Sequence, residues 1–194
     1  MDESLIGREF RHFKGGRYRL EGFAKDSETL EEMVVYRALY GEGGLWVRPA
    51  KMFFEIIERG GRTMKRFSQV IEVVGAIIKD GGKYLVGQRP EGKTQGGLWE
   101  FMGGKIERGE TPEAALAREC REELALEIQN ERIVDAVVHE YPEKTVHLTL
   151  ISCEPKPGST PKALEHQAIR WVTPEEMRAM PFCPADAELI ERLF

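Results

Sequence analysis

The stretch Gly103-Gly104-Lys105-Ile106-Glu107-Arg108-Gly109-Glu110, continued by Arg118-Glu119-Cys120-Arg121-Glu122-Glu123, constrains this chain more than any other. Thr111-Pro112 lies between its halves and predicts a helix start, since threonine caps well and proline suits the first helical position. That helix is expected to run to about Leu124. Residues three and four apart share a helix face, so Glu119, Glu122 and Glu123 project together and repel one another. A solvated acidic face accounts for the triplet alone. A hard divalent cation would instead turn the repulsion into a site, because Mg²⁺ takes oxygen ligands and bridges carboxylates to phosphates. The glycine pair favours the second reading: glycine lets main-chain amides and carbonyls approach a metal or phosphate closely. Lys105 and Arg118 can offset and orient the carboxylates.

Around this stretch the texture of the chain changes once. Up to residue 67 it reads as short strands, Tyr18–Ala24, Met33–Tyr40, Leu45–Val47 and Met52–Ile57, separated by glycine-rich turns. That pattern predicts a small, mostly-β, barrel-like domain over residues 1–67. From Val70 onward strands and helices mix. Val70–Ile78 and Lys83–Gln88 flank Asp80-Gly81-Gly82, a hairpin signal. Further strands are expected at Ile133–Tyr141, Thr145–Ser152 and Gln167–Val172. Thr173-Pro174-Glu175-Glu176 carries a capping box, and a last helix is expected over Ala185–Leu193. Residues 68–194 are therefore expected to form a second, α/β (α+β) domain.

Charge and cysteine usage exclude several classes. Residues 1–67 hold 13 Lys/Arg against 11 Asp/Glu, and the remainder 15 against 22, giving the net −5. A general nucleic-acid coat protein would be basic; a nucleotide-processing enzyme need not be. No apolar run reaches the length of a membrane span, and Met1-Asp2-Glu3-Ser4 lacks a signal-peptide pattern. Cys120, Cys153 and Cys183 have no metal-binding spacing and are expected to be reduced thiols in the cytoplasm.

The central stretch resembles the Nudix box, G-x5-E-x7-R-E-U-x-E-E-x-G-U, with U a bulky apolar residue. Gly104, Glu110, Arg118, Glu119, Cys120, Glu122, Glu123 and Leu126 fill it in register; Ala125 stands where the pattern has glycine. The resemblance implies an αβα sandwich with a mixed sheet and hydrolysis of a nucleoside diphosphate linked to a further group. It also implies Mg²⁺ as cofactor, with Mn²⁺ as an alternative. Glu119, Glu122, Glu123 and Glu165 would then be metal ligands with the Gly103 carbonyl. Glu110 would brace the loop–helix junction, Arg118 would hold the glutamates, and Glu119 or Glu165 would be the general base.

Flanking segments resemble the MutT-type nucleoside triphosphate pyrophosphohydrolases. They are Leu98-Trp99-Glu100-Phe101-Met102-Gly103-Gly104-Lys105, Glu165-His166-Gln167, Pro184-Ala185-Asp186 and Gln88-Arg89. The resemblance implies substrate contacts from Arg89, Trp99, Phe101, Lys105, Tyr141 and Asp186. Trp99 and Phe101 equally suit a core, and His166 receives no role. An ionised aspartate at 186 only accepts hydrogen bonds, which suits oxidised guanine or the cytosine amino group. The expected substrates are oxidised or modified dNTPs such as 8-oxo-dGTP, in nucleotide-pool sanitising linked to DNA repair. CTP or 5-methyl-dCTP, ADP-ribose, dinucleoside polyphosphates and a non-catalytic nucleotide binder are the alternatives. The expected partner is a small nucleotide, with no membrane and no nucleic acid for this domain, in a monomer or homodimer. Residues 1–67 resemble a small bacterial domain family of unknown function. Arg19, Tyr36, Arg37, Tyr40, Trp46 and Arg48 there suit either a stacking surface for nucleotide or RNA or a core with a mixed-charge exterior.

Overall fold

A computed structural model describes residues 1–141 and 144–194. The chain divides into two compact units, Met1–Ile71 with Glu140–Val146, and Glu72–His139 with His147–Phe194.

In the first unit β1 (Glu9–His12), β2 (Arg17–Lys25), β3 (Glu32–Ala38) and β4 (Leu45–Pro49) pair antiparallel in sequence order. A single helical turn, α1 (Ala50–Phe53), precedes a separate hairpin of β5 (Ile56–Arg59) and β6 (Arg62–Lys65). The start of β7 (Phe67–Asp80) pairs with the free side of β1. Alternation along β3 buries Val34, Tyr36 and Ala38 on one face, where Val34 and Tyr36 join Phe10, Leu20, Phe53 and Phe67. The strand-rich character is as expected, but β4 ends the strand order, so the sheet is open where a barrel-like closure was expected. The strand expected over Met52–Ile57 is also replaced at its start by α1. A helical turn puts Ala50 and Phe53 on one face, and Phe53 buries completely, stacked on Phe67 with ring centroids 4.1 Å apart.

The second unit is built on the remainder of β7. Gly81 and Gly82 both have positive φ and turn β7 into β8 (Lys83–Gln88), with Asp80 opposite Lys83. β8 also pairs with β9 (Trp99–Glu100) and with β12 (Ala168–Val172). β10 (Ile128–Glu140), β11 (Lys144–Pro155) and β7 are successive neighbours. The helices are α2 (Pro112–Leu124), α3 (Pro174–Arg178) and α4 (Pro184–Leu193). β7 is covered on both faces. Val74, Ala76 and Ile78 pack with Ala115, Leu116, Cys120 and Leu124 of α2. On the opposite face a Cβ at Gly75 would meet Leu148, Leu150 and Phe101, and the Phe101 amide is bonded to Asp186 of α4. Helices therefore lie on either side of a mixed sheet, the sandwich expected. Among the described residues no helix is long and apolar enough to cross a membrane.

Candidate active site

The helix carrying the glutamate triplet begins and ends where its sequence dictates. Thr111 Oγ1 accepts the Ala114 amide at 3.2 Å and Pro112 occupies the first turn. At the other end Ala125 is left-handed, with φ +51°, and the Leu126 amide closes back on the Cys120 carbonyl at 3.1 Å. The glycine replaced in the box is thus replaced at a position that still adopts glycine's conformation.

The loop ahead of the helix is tied to β7. Val74, Ala76 and Ile106 amides donate to the carbonyls of Gly104, Met102 and Glu72. No hydrogen bond among the described residues uses the Gly103 carbonyl. Gly103 sits at φ +148°, where a Cβ would overlap the Val74 carbonyl, and a Cβ on Gly104 would overlap the Glu119 carboxylate. Close approach to the Val74 backbone therefore requires glycine at 103, whereas at 104 an added methyl would meet only the end of the Glu119 side chain.

Arg118 organises the junction. Its Nε and Nη2 bind both Glu110 oxygens at 2.9 Å, and Nη1 donates to Glu119 at 2.7 Å and to Glu122 at 3.1 Å. Nη2 also donates to the Lys105 carbonyl at 3.0 Å. Arg118 and the Glu107 amide hold the Glu110 pKa down at about 2. Glu123 is not held by Arg118 and accepts the Gly103 amide at 3.0 Å. Burial pushes its pKa up to about 7, against the opposing field of His166 and that amide bond. Glu122 is more than half exposed.

Oxygen donors suit Mg²⁺. A largely buried carboxylate with a single amide partner, and an unused carbonyl beside it, are the donors such an ion would need. Among the described residues no three His, Cys, Asp or Glu side chains already form a finished cage, because Arg118 holds two of the three glutamates.

The remaining expected residues are placed unevenly. Glu165 is exposed, with Lys93 Nζ 3.4 Å from its carboxylate, and hydrogen bonds to none of the helix glutamates. Arg89 is bound to Glu100 at 2.6 Å and to the Thr94 carbonyl at 2.9 Å. Trp99 and Phe101 are buried, as a core would have them. The Lys105 side chain is exposed. Tyr141 belongs to the 140–146 segment of the first unit, where its amide donates to the Lys144 carbonyl. Asp186, in the first turn of α4, is buried and accepts the Phe101 amide at 3.1 Å. Burial raises its pKa to about 7.

Sequence reasoning missed Glu100 and His166. The buried His166 ring shares a 3.1 Å hydrogen bond with Glu100, whose other oxygen receives Arg89. Burial disfavours protonated His166, but the Glu100 bond and the charge of Glu123 outweigh it and raise the pKa above the ordinary imidazole value. A Cβ at Gly87 would overlap the His166 ring. A glycine in mid-strand was the available signal of close approach.

The comparisons agree with this architecture. Residues 73–192 match the model of the NUDIX domain, and residues 8–69 match a protein family of unknown function, DUF1653. The CTP pyrophosphohydrolase of Escherichia coli is 44% identical over 123 residues, covering 63% of this chain and 90% of that protein. The 8-oxo-dGTP diphosphatase of Haemophilus influenzae is 36% identical over 126 residues, covering 64% and 92%. The solution structure of the E. coli ORF135 protein superposes with a TM-score of 0.56 at 43% identity, covering 64% of this chain and 88% of that one. With the box, the clamp on its glutamates and the sandwich in place, the chain belongs to the Nudix hydrolase family.

Proposed function

We propose that this Nudix hydrolase is a Mg²⁺-dependent nucleoside triphosphate pyrophosphohydrolase that releases a nucleoside monophosphate and pyrophosphate, preferring oxidised or modified dNTPs. The observation that carries the reading is the Arg118 clamp, which gathers Glu110, Glu119 and Glu122 beside the Gly103–Gly104 loop. Glu119, Glu122, Glu123 and the Gly103 carbonyl would hold the ion. When bound, Mg²⁺ polarises phosphoryl oxygens and lowers the pKa of a coordinated water.

The chain supplies the rest. Arg118 fixes the direction of the Glu119 and Glu122 carboxylates, so little reorganisation remains when substrate arrives. Glu119, packed against Gly104, is the nearer candidate to accept the water proton, since Glu165 stands apart on Lys93. Asp186 bears on the base. One oxygen is committed to the Phe101 amide, leaving the other for a ligand. Burial pushes the carboxyl's pKa up to about 7 and so favours its protonated form. It can then donate as well as accept, which ionised aspartate cannot.

CTP or 5-methyl-dCTP is the second reading, favoured by the 44% identity to the E. coli CTP pyrophosphohydrolase. Steady-state turnover of 8-oxo-dGTP, dGTP, CTP and 5-methyl-dCTP with Mg²⁺ separates the two. Faster kcat/KM for 8-oxo-dGTP than for dGTP is expected. Equal, slow turnover of all four would sink the preference.

A further inference from the structure

The first unit carries a cleft of about 400 Å³ lined by His12, Lys14, Gly16, Tyr18 and Tyr40. That volume is at the lower end of small-molecule sites. Two phenol rings line it edge to face: Tyr18 and Tyr40 share a hydroxyl–hydroxyl hydrogen bond, with ring centroids 5.4 Å apart and planes at 80°, and Tyr40 is the more exposed of the two. Gly16 lies at their base, where a Cβ would come within 3.0 Å of the Tyr40 ring and 3.1 Å of Tyr18. The glycine thus keeps the space beside the rings open.

The charge around the cleft is uncompensated. Several arginines of this unit are paired with carboxylates: Arg11 with Glu140, Arg17 with Glu9, Arg19 and Arg37 with Glu21, and Arg66 with Glu55. Lys14 and Arg48 form no ion pair among the described residues. Arg48 donates instead to the Tyr36 hydroxyl at 3.2 Å and lies over Phe67. The His12 ring accepts the Lys14 amide at Nδ1, 3.4 Å away, so a neutral ring carries its proton on Nε2 as a donor. Burial, with the charges of Arg48, Arg66 and Lys14, keeps that ring neutral by lowering its pKa to about 4.

We propose that this cleft is a second, non-catalytic binding site for a mononucleotide: the exposed Tyr40 ring, set edge to face on Tyr18, takes the base, and Lys14 with the His12 Nε2–H takes the phosphate. Aromatic faces beside uncompensated cations are the chemistry that holds single nucleotides without sequence selection. The volume suits one nucleotide. Of the aromatic and basic residues the sequence singled out here, only Tyr40 lines the cleft; Tyr36 is buried, and Arg19 and Arg37 are spent on Glu21. The assignment does not depend on the activity of the second unit.

The test is amide-resolved NMR of the full 194-residue chain, titrated with GMP in EDTA, with inorganic phosphate, guanosine and a short single-stranded RNA as parallel arms. Saturable shifts at Lys14, Gly16, Tyr18 and Tyr40 are expected with GMP and much weaker ones with phosphate or guanosine alone. Tyr40→Ala and Lys14→Ala alter exposed side chains, and each is expected to weaken binding at least about fivefold with the remaining spectrum unchanged. Three results would overturn the proposal: shifts confined to residues 98–126, equal shifts with phosphate alone, or tighter binding of the RNA than of GMP. GMP affinity unchanged in both variants would do the same.

Discussion

Asp186 shows how one side chain answers to packing and to the cost of its own charge at once. Its carboxyl is buried and braces the Phe101 amide, and burial raises its pKa from 3.8 to about 7. A raised folded pKa means that the unfolded chain ionises first. The stability linked to this group is intact below pH 4, declines as pH rises towards 7 and then levels. Asp186→Asn keeps an oxygen for Phe101 and removes the buried charge. Urea unfolding in EDTA is therefore expected to show the variant gaining on the parent by a few kcal/mol between pH 4 and pH 8. A difference independent of pH would refute the assignment. Ala125 poses the converse case, an L-residue held at φ +51° with no catalytic duty. Ala125→Gly is expected to raise stability by up to about 1 kcal/mol at unchanged turnover, because glycine relieves the left-handed strain. A lower melting temperature would contradict it.

The element that matters most is the loop–helix junction, and Gly104 tests it most sharply. Its φ is not in the left-handed range, so alanine fits the backbone, yet the added Cβ would overlap the Glu119 carboxylate. Gly104→Ala should leave the melting temperature nearly unchanged while kcat falls at least about tenfold, a loss in the range of a displaced acid–base group. Retained kcat would remove Glu119 from the mechanism. Such junctions were legible because their signals are local. Thr111-Pro112 and Thr173-Pro174 gave helix starts that the structure places at Pro112 and Pro174, and the capping box at Thr173–Glu176 is formed. Elements whose reasons are remote were not legible. β1 is four residues with one buried side chain, and α1 exists because Phe53 stacks on Phe67. The Glu100–His166 bond joins residues 66 apart, and the one sequence signal nearby, Gly87 in mid-strand, announces a close approach without naming the partner.

At the scale of the whole molecule the acidic surplus lies with the hydrolase, where the remainder after residue 67 holds 22 acidic against 15 basic residues. Part of that surplus lies in carboxylates whose burial or mutual proximity opposes stability, and on the proposed function a cation would relieve it. Glu123 is the clearest example, buried with one amide as partner. Function and stability should therefore move in opposite directions on its substitution. Glu123→Gln keeps an oxygen acceptor for the Gly103 amide while removing the charge, so the metal-free variant is expected to melt higher than the metal-free parent at pH 8. Mg²⁺ at a hundredfold excess over its Kd should stabilise the parent by about 2.7 kcal/mol, as binding to the folded state alone requires. The variant should lose most of that increment together with turnover. Differential scanning calorimetry of both proteins, with Mg²⁺ and with EDTA, reads the melting points and the increment, and a pyrophosphate-release assay reads turnover. An equal Mg²⁺ increment in the two would show that the ion binds elsewhere, and a lower metal-free melting point in Glu123→Gln would show that its carboxylate is compensated by the fold itself.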